Sequence, residues 1–136
     1  MVFSYVAGSK VEVSFPGVGF MLGYYVGCVL WELEEGVYYV EFDHLFENYA
    51  PIRDVVSVEQ IRPCPPNVGR NNFSVGDTVE VFVNDGWWVG KVEASYRHEN
   101  CFEVVLDGSG EDVVVHACDM RLHQVWEDGT WIIVLD

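Results

Sequence analysis

A chain of 136 residues, half of them apolar, can bury the core of one domain or of two very small ones. Asp and Glu number 22 against 7 Lys and Arg, a formal net charge of −15, so the surface repels phosphate backbones and favours basic partners over nucleic acid. Cys28, Cys64, Cys101 and Cys118 form no CxxC pair and no charged-then-apolar leader opens the chain, which points to reduced thiols inside a cell, and no apolar run approaches the ~18 residues of a membrane span.

Taken in chain order, the predicted elements are all strands: "SKVEVSF", "GYYVGCVLWEL", "GVYYVEF", "TVEVFV", "WWVGKVEASY" and "CFEVVL" are runs of β-branched and aromatic residues cut by Gly, Asn, Asp and Pro. No window sustains a helical period. "EEG" at 34–36 and "NDG" at 84–86 supply the positive-φ positions of tight hairpins, and "EDG" at 127–129 joins two further strands around Trp126 and Trp131. "RPCPPNVGRNN", residues 62–72, combines prolines with turn formers and marks a domain boundary.

The chain repeats itself across that boundary. "GSKVEV" at 8–13 answers "GDTVEV" at 76–81, and "GYYVGCV" at 23–29 answers "GWWVGKV" at 86–92. The order continues with "VYYVEFD" at 37–43 against "CFEVVLD" at 101–107, then "VVSVEQIRP" at 55–63 against "VVVHACDMRL" at 113–122. Each half therefore reads as about four strands and a helical turn ending in Arg. A unit that small closes best as a strongly bent barrel, since a flat sheet would leave both edges and a face exposed.

The second half, "F.VGDTVEV....DGWWVGKV" followed by "F.V.L.G", "DMRLH" and "W.DG.W", resembles an Agenet domain, the plant branch of the Tudor-like family. The first half keeps "G.KVEV", a glycine with two aromatics, "Y.VEFD" and "IRP", but reads "LGYYVGC" where the family has an Ala-Trp-aromatic phrase. The resemblance implies an all-β protein of two small Tudor/SH3-like bent barrels packed together, a tandem Agenet pair with domains at 1–65 and 70–136. It further implies a nuclear chromatin reader of methylated histone tails, with lysine nine of the third core histone, dimethylated, as the expected mark.

Adjacent residues of a strand face opposite ways, so one of Tyr24 and Tyr25, and one of Trp87 and Trp88, must face the barrel core. By resemblance to Tudor-like cages, the first domain supplies Phe15, Tyr25, Phe42 and Phe46 or its neighbour Leu45, with Asp43 at the rim. The corresponding residues of the second domain are Val83, Trp88, Leu106 and Ser109, so only the first half keeps a plausible cage. A methylated ammonium remains cationic but poorly hydrated, and ring faces stabilise it by ~0.5–2 kcal/mol per contact. Against this stands the simpler possibility that these rings are barrel core. Trp87 is expected in the core, and Trp88 in a groove between the domains with Asp85, where Glu111 and Asp112 would meet the rest of a basic peptide.

No cofactor, metal or catalytic site is expected. His116, Cys118 and His123, with Cys101 upstream, match no zinc spacing, and His44 beside Asp43 has no nucleophile in a recognisable motif. The competing binding function is an SH3-like adaptor for a basic, Pro-rich peptide. The prolines at 63, 65 and 66 shorten and stiffen the linker, which implies a compact pair.

Overall fold

Alternating valines on short strands, cut by tight turns, build an all-β protein: the computed structural model describes residues 4–15, 23–68, 72–96 and 98–134, and these hold twelve strands and two single 3-10 turns. The chain divides into two compact units, the first ending at Cys64 and the second running on from Pro65. Strands β1 (Lys10–Ser14), β2 (Gly23–Glu34), β3 (Val37–Glu47), β4 (Ala50–Ser57) and β5 (Ile61–Pro63) make the first. The second contains β6 (Thr78–Val83), β7 (Gly86–Tyr96), β8 (Cys101–Leu106), β9 (Asp112–His116) and β10 (Met120–Leu122), followed by the hairpin β11 (Gln124–Glu127) and β12 (Thr130–Ile133). Residues 69–71 of the linker lie outside the described residues.

Both units use one topology. In the first, β5, β1, β2, β3 and β4 form an antiparallel ladder in that order; in the second, β10, β6, β7, β8 and β9 do the same. Each ladder bends into a barrel-like shape that stays open: among the described residues no pairing joins β4 to β5 or β9 to β10, and a 3-10 turn, Val58–Gln60 or Ala117–Asp119, spans the gap. The repeated phrase "IRP" and its partner "MRL" differ from the sequence expectation in one respect. Their arginines sit in the short strands β5 and β10, after the helical turn and not at its end.

Local chemistry repeats as faithfully. Gly8 (φ +89°) and Gly76 (φ +94°) occupy left-handed conformations that a Cβ would strain, and each donates its N–H to a valine carbonyl on the second strand of its unit, Val29 or Val92, at 2.8 Å. Those same valines precede a bulge, between Val29 and Trp31 in β2 and between Val92 and Ala94 in β7. Of the expected turns, "EEG" places Gly36 at φ +79° and "EDG" places Asp128 and Gly129 at positive φ. In "NDG" the left-handed pair is Asn84 and Asp85, while Gly86 already belongs to β7. A further tight turn, Asn48 and Tyr49 at φ +52° and +65°, joins β3 to β4 and carries none of the usual Gly signal.

Each unit has its own core. The first gathers Tyr5, Val11, Val13, Val29, Tyr38, Val40, Phe42, Val56 and Ile61; the second gathers Phe73, Val79, Val81, Val92, Phe102, Val104, Leu106 and the residues around Met120. The second glycine of each repeated phrase is required by packing. A Cβ on Gly27 would lie 2.7 Å from Val40 Cγ1 and 2.9 Å from the Glu41 carbonyl, and one on Gly90 would lie 2.5 Å from the Val105 carbonyl. The third strand of each unit crosses there too closely for any side chain.

Candidate functional site

Register decides which ring of each aromatic pair faces inward. Tyr25 stands opposite Val13, and Trp88 opposite Val81, so the second aromatic of each pair joins the buried valines of its unit. Their neighbours Tyr24 and Trp87 lie on the other face of the sheet. This corrects the assignment of Trp87 to the core: its ring packs on Phe82 at 5.3 Å, and the Arg121 guanidinium stacks over it at 4.0 Å. Tyr24 is capped in the same way by Arg62, 3.5 Å from its ring centre.

At one end of the first core three rings from three strand segments converge. Phe15, just past β1, lies 5.9 Å from Tyr25 of β2 and 5.7 Å from Phe42 of β3, with interplanar tilts of 53° and 46°. Phe15 and Tyr25 are half-buried, while Phe42 is 2% exposed. Leu45 and Ile52 pack against the same cluster. At the corresponding end of the second unit stand Val83, Trp88 and Leu106; Leu106 is buried, and the Trp88 indole N–H donates to the Val83 carbonyl at 2.9 Å.

Two proposed cage residues are not gathered with these rings. Asp43 follows Phe42 in the strand and so faces the other way, where its Oδ2 is paired with Lys10 Nζ. That hydrogen bond raises the Lys10 ammonium above its ordinary value, against a smaller opposing effect of burial. Phe46 lies beyond a register shift in β3, opposite Pro51 and 59% exposed, and no ring contact joins it to the three among the described residues. Of the residues assigned to a peptide groove, Asp85 is exposed in the β6–β7 turn and Trp88 packs on the second core. Glu111 and Asp112 are exposed where β8 connects to β9; the Glu111 carbonyl accepts from the Leu106 N–H at 2.9 Å.

Sequence reasoning missed the ion pairs beneath the outer rings. Glu12 and Glu80, the middle residues of the two "VEV" phrases, are each 1% exposed. Arg62 donates from Nε and a terminal nitrogen to Glu12 Oε1 at 3.0 and 2.8 Å, and Arg121 does so to Glu80 Oε1 at 2.9 and 2.7 Å. In the second unit His123 Nδ1 lies 2.7 Å from the remaining Glu80 oxygen. The signal was present in the repeat, since Glu and Arg recur at matching places in both halves, but alternation made both look like solvent-facing residues.

Among the described residues no group of three His, Cys, Asp or Glu could hold a metal ion. His116 Nδ1 lies 3.2 Å from Cys118 Sγ, a local contact at the start of a 3-10 turn.

Known structures share this fold. The chain superposes on the crystal structure of Arabidopsis thaliana AGDP1 AGD34 with a TM-score of 0.88 and 32% sequence identity, covering 96% of this chain and 90% of that one. The chain belongs to the Agenet domain family. The Agenet domain family profile itself matches residues 8–66, the first Agenet unit. The ADCP1 tandem Agenet domain 3-4 superposes with a TM-score of 0.84 at 32% identity, over 96% of this chain and 89% of that one. In sequence, the Agenet pair is 34% identical over 131 residues to the Arabidopsis thaliana protein AGENET DOMAIN (AGD)-CONTAINING P1, covering 95% of this chain and 25% of that protein. It is 35% identical over 82 residues to DUF724 domain-containing protein 6 of the same plant, covering 60% of this chain and 12% of that protein. The Agenet pair thus spans a quarter or less of the length of these relatives.

Proposed function

We propose that this Agenet pair is a non-catalytic, nuclear chromatin module that reads a methylated lysine on a basic histone tail. Phe15, Tyr25 and Phe42 form the cage, in a first domain taken as residues 1–65, and the second domain, residues 70–136, supports it. The observation that carries this reading is the convergence of Tyr25 and Phe42 on Phe15, each within 6 Å of its ring, at the end of a barrel whose sister unit presents Val83, Trp88 and Leu106 instead. Phe42, buried, makes the floor; Phe15 and Tyr25 make the accessible walls. A methylammonium exchanges weak hydration for ring faces there, whereas an unmodified ammonium would give up strong hydration. The net charge of −15 supports a basic partner.

Asp43 enters this reading only if the ligand displaces Lys10 from its carboxylate, and Phe46 only if the β3–β4 hairpin moves over the cage on binding. The first peptide to test is the tail of the third core histone dimethylated at lysine nine. Calorimetry against the same peptide unmethylated should give at least about tenfold tighter binding of the methylated form. Equal affinities would sink the cage reading and leave the Pro-rich adaptor as the better one.

A further inference from the structure

The outer face of the first unit carries an apolar row that its core does not use. Trp31 of β2 stands opposite Tyr39 of β3, and Tyr39 opposite Val55 of β4, so the ladder register puts all three on one face. The Trp31 and Tyr39 rings lie 5.1 Å apart at a 46° tilt, and Trp31 and Val55 are 50% and 52% exposed. The core is on the opposite side, where Val29, Tyr38, Val40 and Val56 are buried.

The second unit serves as an internal control. After the matching bulge its row reads Ala94, Glu103 and Val114, with the same pairings. The fold is thus complete without either aromatic ring, and burial does not account for Trp31 and Tyr39. Exposed aromatics clustered in this way mark interaction surfaces.

We infer that this face docks an arginine-bearing basic segment of a partner protein, with the guanidinium stacked on Trp31 and Tyr39. Charge selects that occupant. Glu34, exposed and opposite Val37, flanks the row at one end, while at the other end Glu41 is paired with Arg53 at 2.9 Å, so Glu34 is the carboxylate that faces an incoming cation. The chain's own chemistry supports the same choice, because twice within the molecule a guanidinium sits over an outer-face aromatic while a glutamate holds its nitrogens: Arg62 on Tyr24 with Glu12, and Arg121 on Trp87 with Glu80. A solvent-open pair of rings with Glu34 at one end offers that combination to a guanidinium from outside. Lysine fits it less well, since an ammonium is more strongly hydrated and has no plane to stack. This site is separate from the proposed methyl-lysine cage, which lies on the core side of the same strands, and does not depend on it.

The test uses a short peptide alternating arginine with glycine and serine, its lysine-for-arginine twin, and nuclear magnetic resonance of the tryptophan indole N–H groups. Trp31→Ala and Tyr39→Glu install the residues that the second unit already carries at these places, so both variants should fold. The arginine peptide is expected to move the Trp31 indole signal and to bind about tenfold more weakly to Trp31→Ala, with the lysine twin weaker than the arginine form. Absence of any Trp31 shift at millimolar peptide, or parent-like affinity of Trp31→Ala, would overturn the proposal. So would sedimentation showing that the parent dimerises and Trp31→Ala does not, which would give the face to a second copy.

Discussion

Arg121 and Glu80 are joined by two hydrogen bonds to a single carboxylate oxygen while the arginine's guanidinium carbon sits over the Trp87 ring, and Arg62 repeats the arrangement with Glu12 and Tyr24. In the Arg62–Glu12 pair, where both side chains are buried, removing one partner strands a charge that water cannot reach. Glu12→Ala, with Arg62 3% exposed, should cost about 3–5 kcal/mol in urea unfolding, whereas Glu12→Met combined with Arg62→Met should cost far less. A single variant losing under about 1 kcal/mol would show that the guanidinium is hydrated after all.

The repeated glycines make a second prediction. Gly90→Ala drives a methyl group into the Val105 carbonyl and Gly27→Ala drives one between Val40 and the Glu41 carbonyl, so each should lose on the order of 1–3 kcal/mol as strands are forced apart. Gly110, whose Cβ would meet no atom within 4 Å but whose φ is +72°, is the comparison site and should lose less. Thermal melts of the three variants separate close approach from backbone conformation; an unchanged Gly90→Ala melt would mean that β7 and β8 can separate freely.

Cage and core variants should part company. Tyr25→Ala or Phe15→Ala should erase the preference for a methylated peptide while the second unit stays folded. Leu106→Ala, at a buried position, should mainly cost stability, on the order of 2–5 kcal/mol. Trp88→Ala removes a ring packed on the second core and an N–H bonded to Val83, and should destabilise that unit by about 3 kcal/mol while leaving methyl discrimination in place. Discrimination lost in Trp88→Ala but kept in Tyr25→Ala would move the cage to the second unit.

Alkaline stability follows from Tyr5. Burial, with a smaller contribution from neighbouring Tyr38, pushes its phenol from 10.0 up to about 12. The folded state holds this proton more tightly than the unfolded chain does, so the contribution to stability is whole below pH 10 and is lost as pH rises from 10 toward 12. Tyr5→Phe cannot titrate, and its urea midpoint should fall less steeply over that window than the parent's. Parallel curves would show that the Tyr5 hydroxyl is not held away from water.

Ionic strength provides a further check on the ligand. With a net charge of −15, association of a basic tail should slow and weaken as salt rises from about 0.05 to 0.15 M, chiefly in the on-rate. Affinity that stays flat across that range would indicate an apolar ligand.

The sequence by itself determined the repeat and the strands, because these rest on information local to each segment. Valines at alternate positions commit a strand to one buried face, and Asp-Gly, Glu-Gly or Asn-Asp pairs commit the chain to reverse at set points. The Asn48–Tyr49 turn escaped because Asn48 is followed by an aromatic residue and not by the Gly or Asp that completes the usual turn signal. What only the tertiary structure decided was facing and partnership. Alternation required the two tryptophans at 87 and 88 to split but could not say which faced inward; the pairing of Val81 with Trp88 settled it, a register set by the geometry of the Asn84–Asp85 turn and by which face of the hairpin the rest of the barrel covers. Likewise a glutamate between two core valines looks solvent-facing until an arginine some 40 to 50 residues later is laid beside it on a neighbouring strand, as in Glu80 with Arg121 and Glu12 with Arg62. Asp43 was placed at a cage rim because it adjoins Phe42, yet adjacency in a strand means opposite faces, and the lysine that claims it lies 33 positions earlier in the chain.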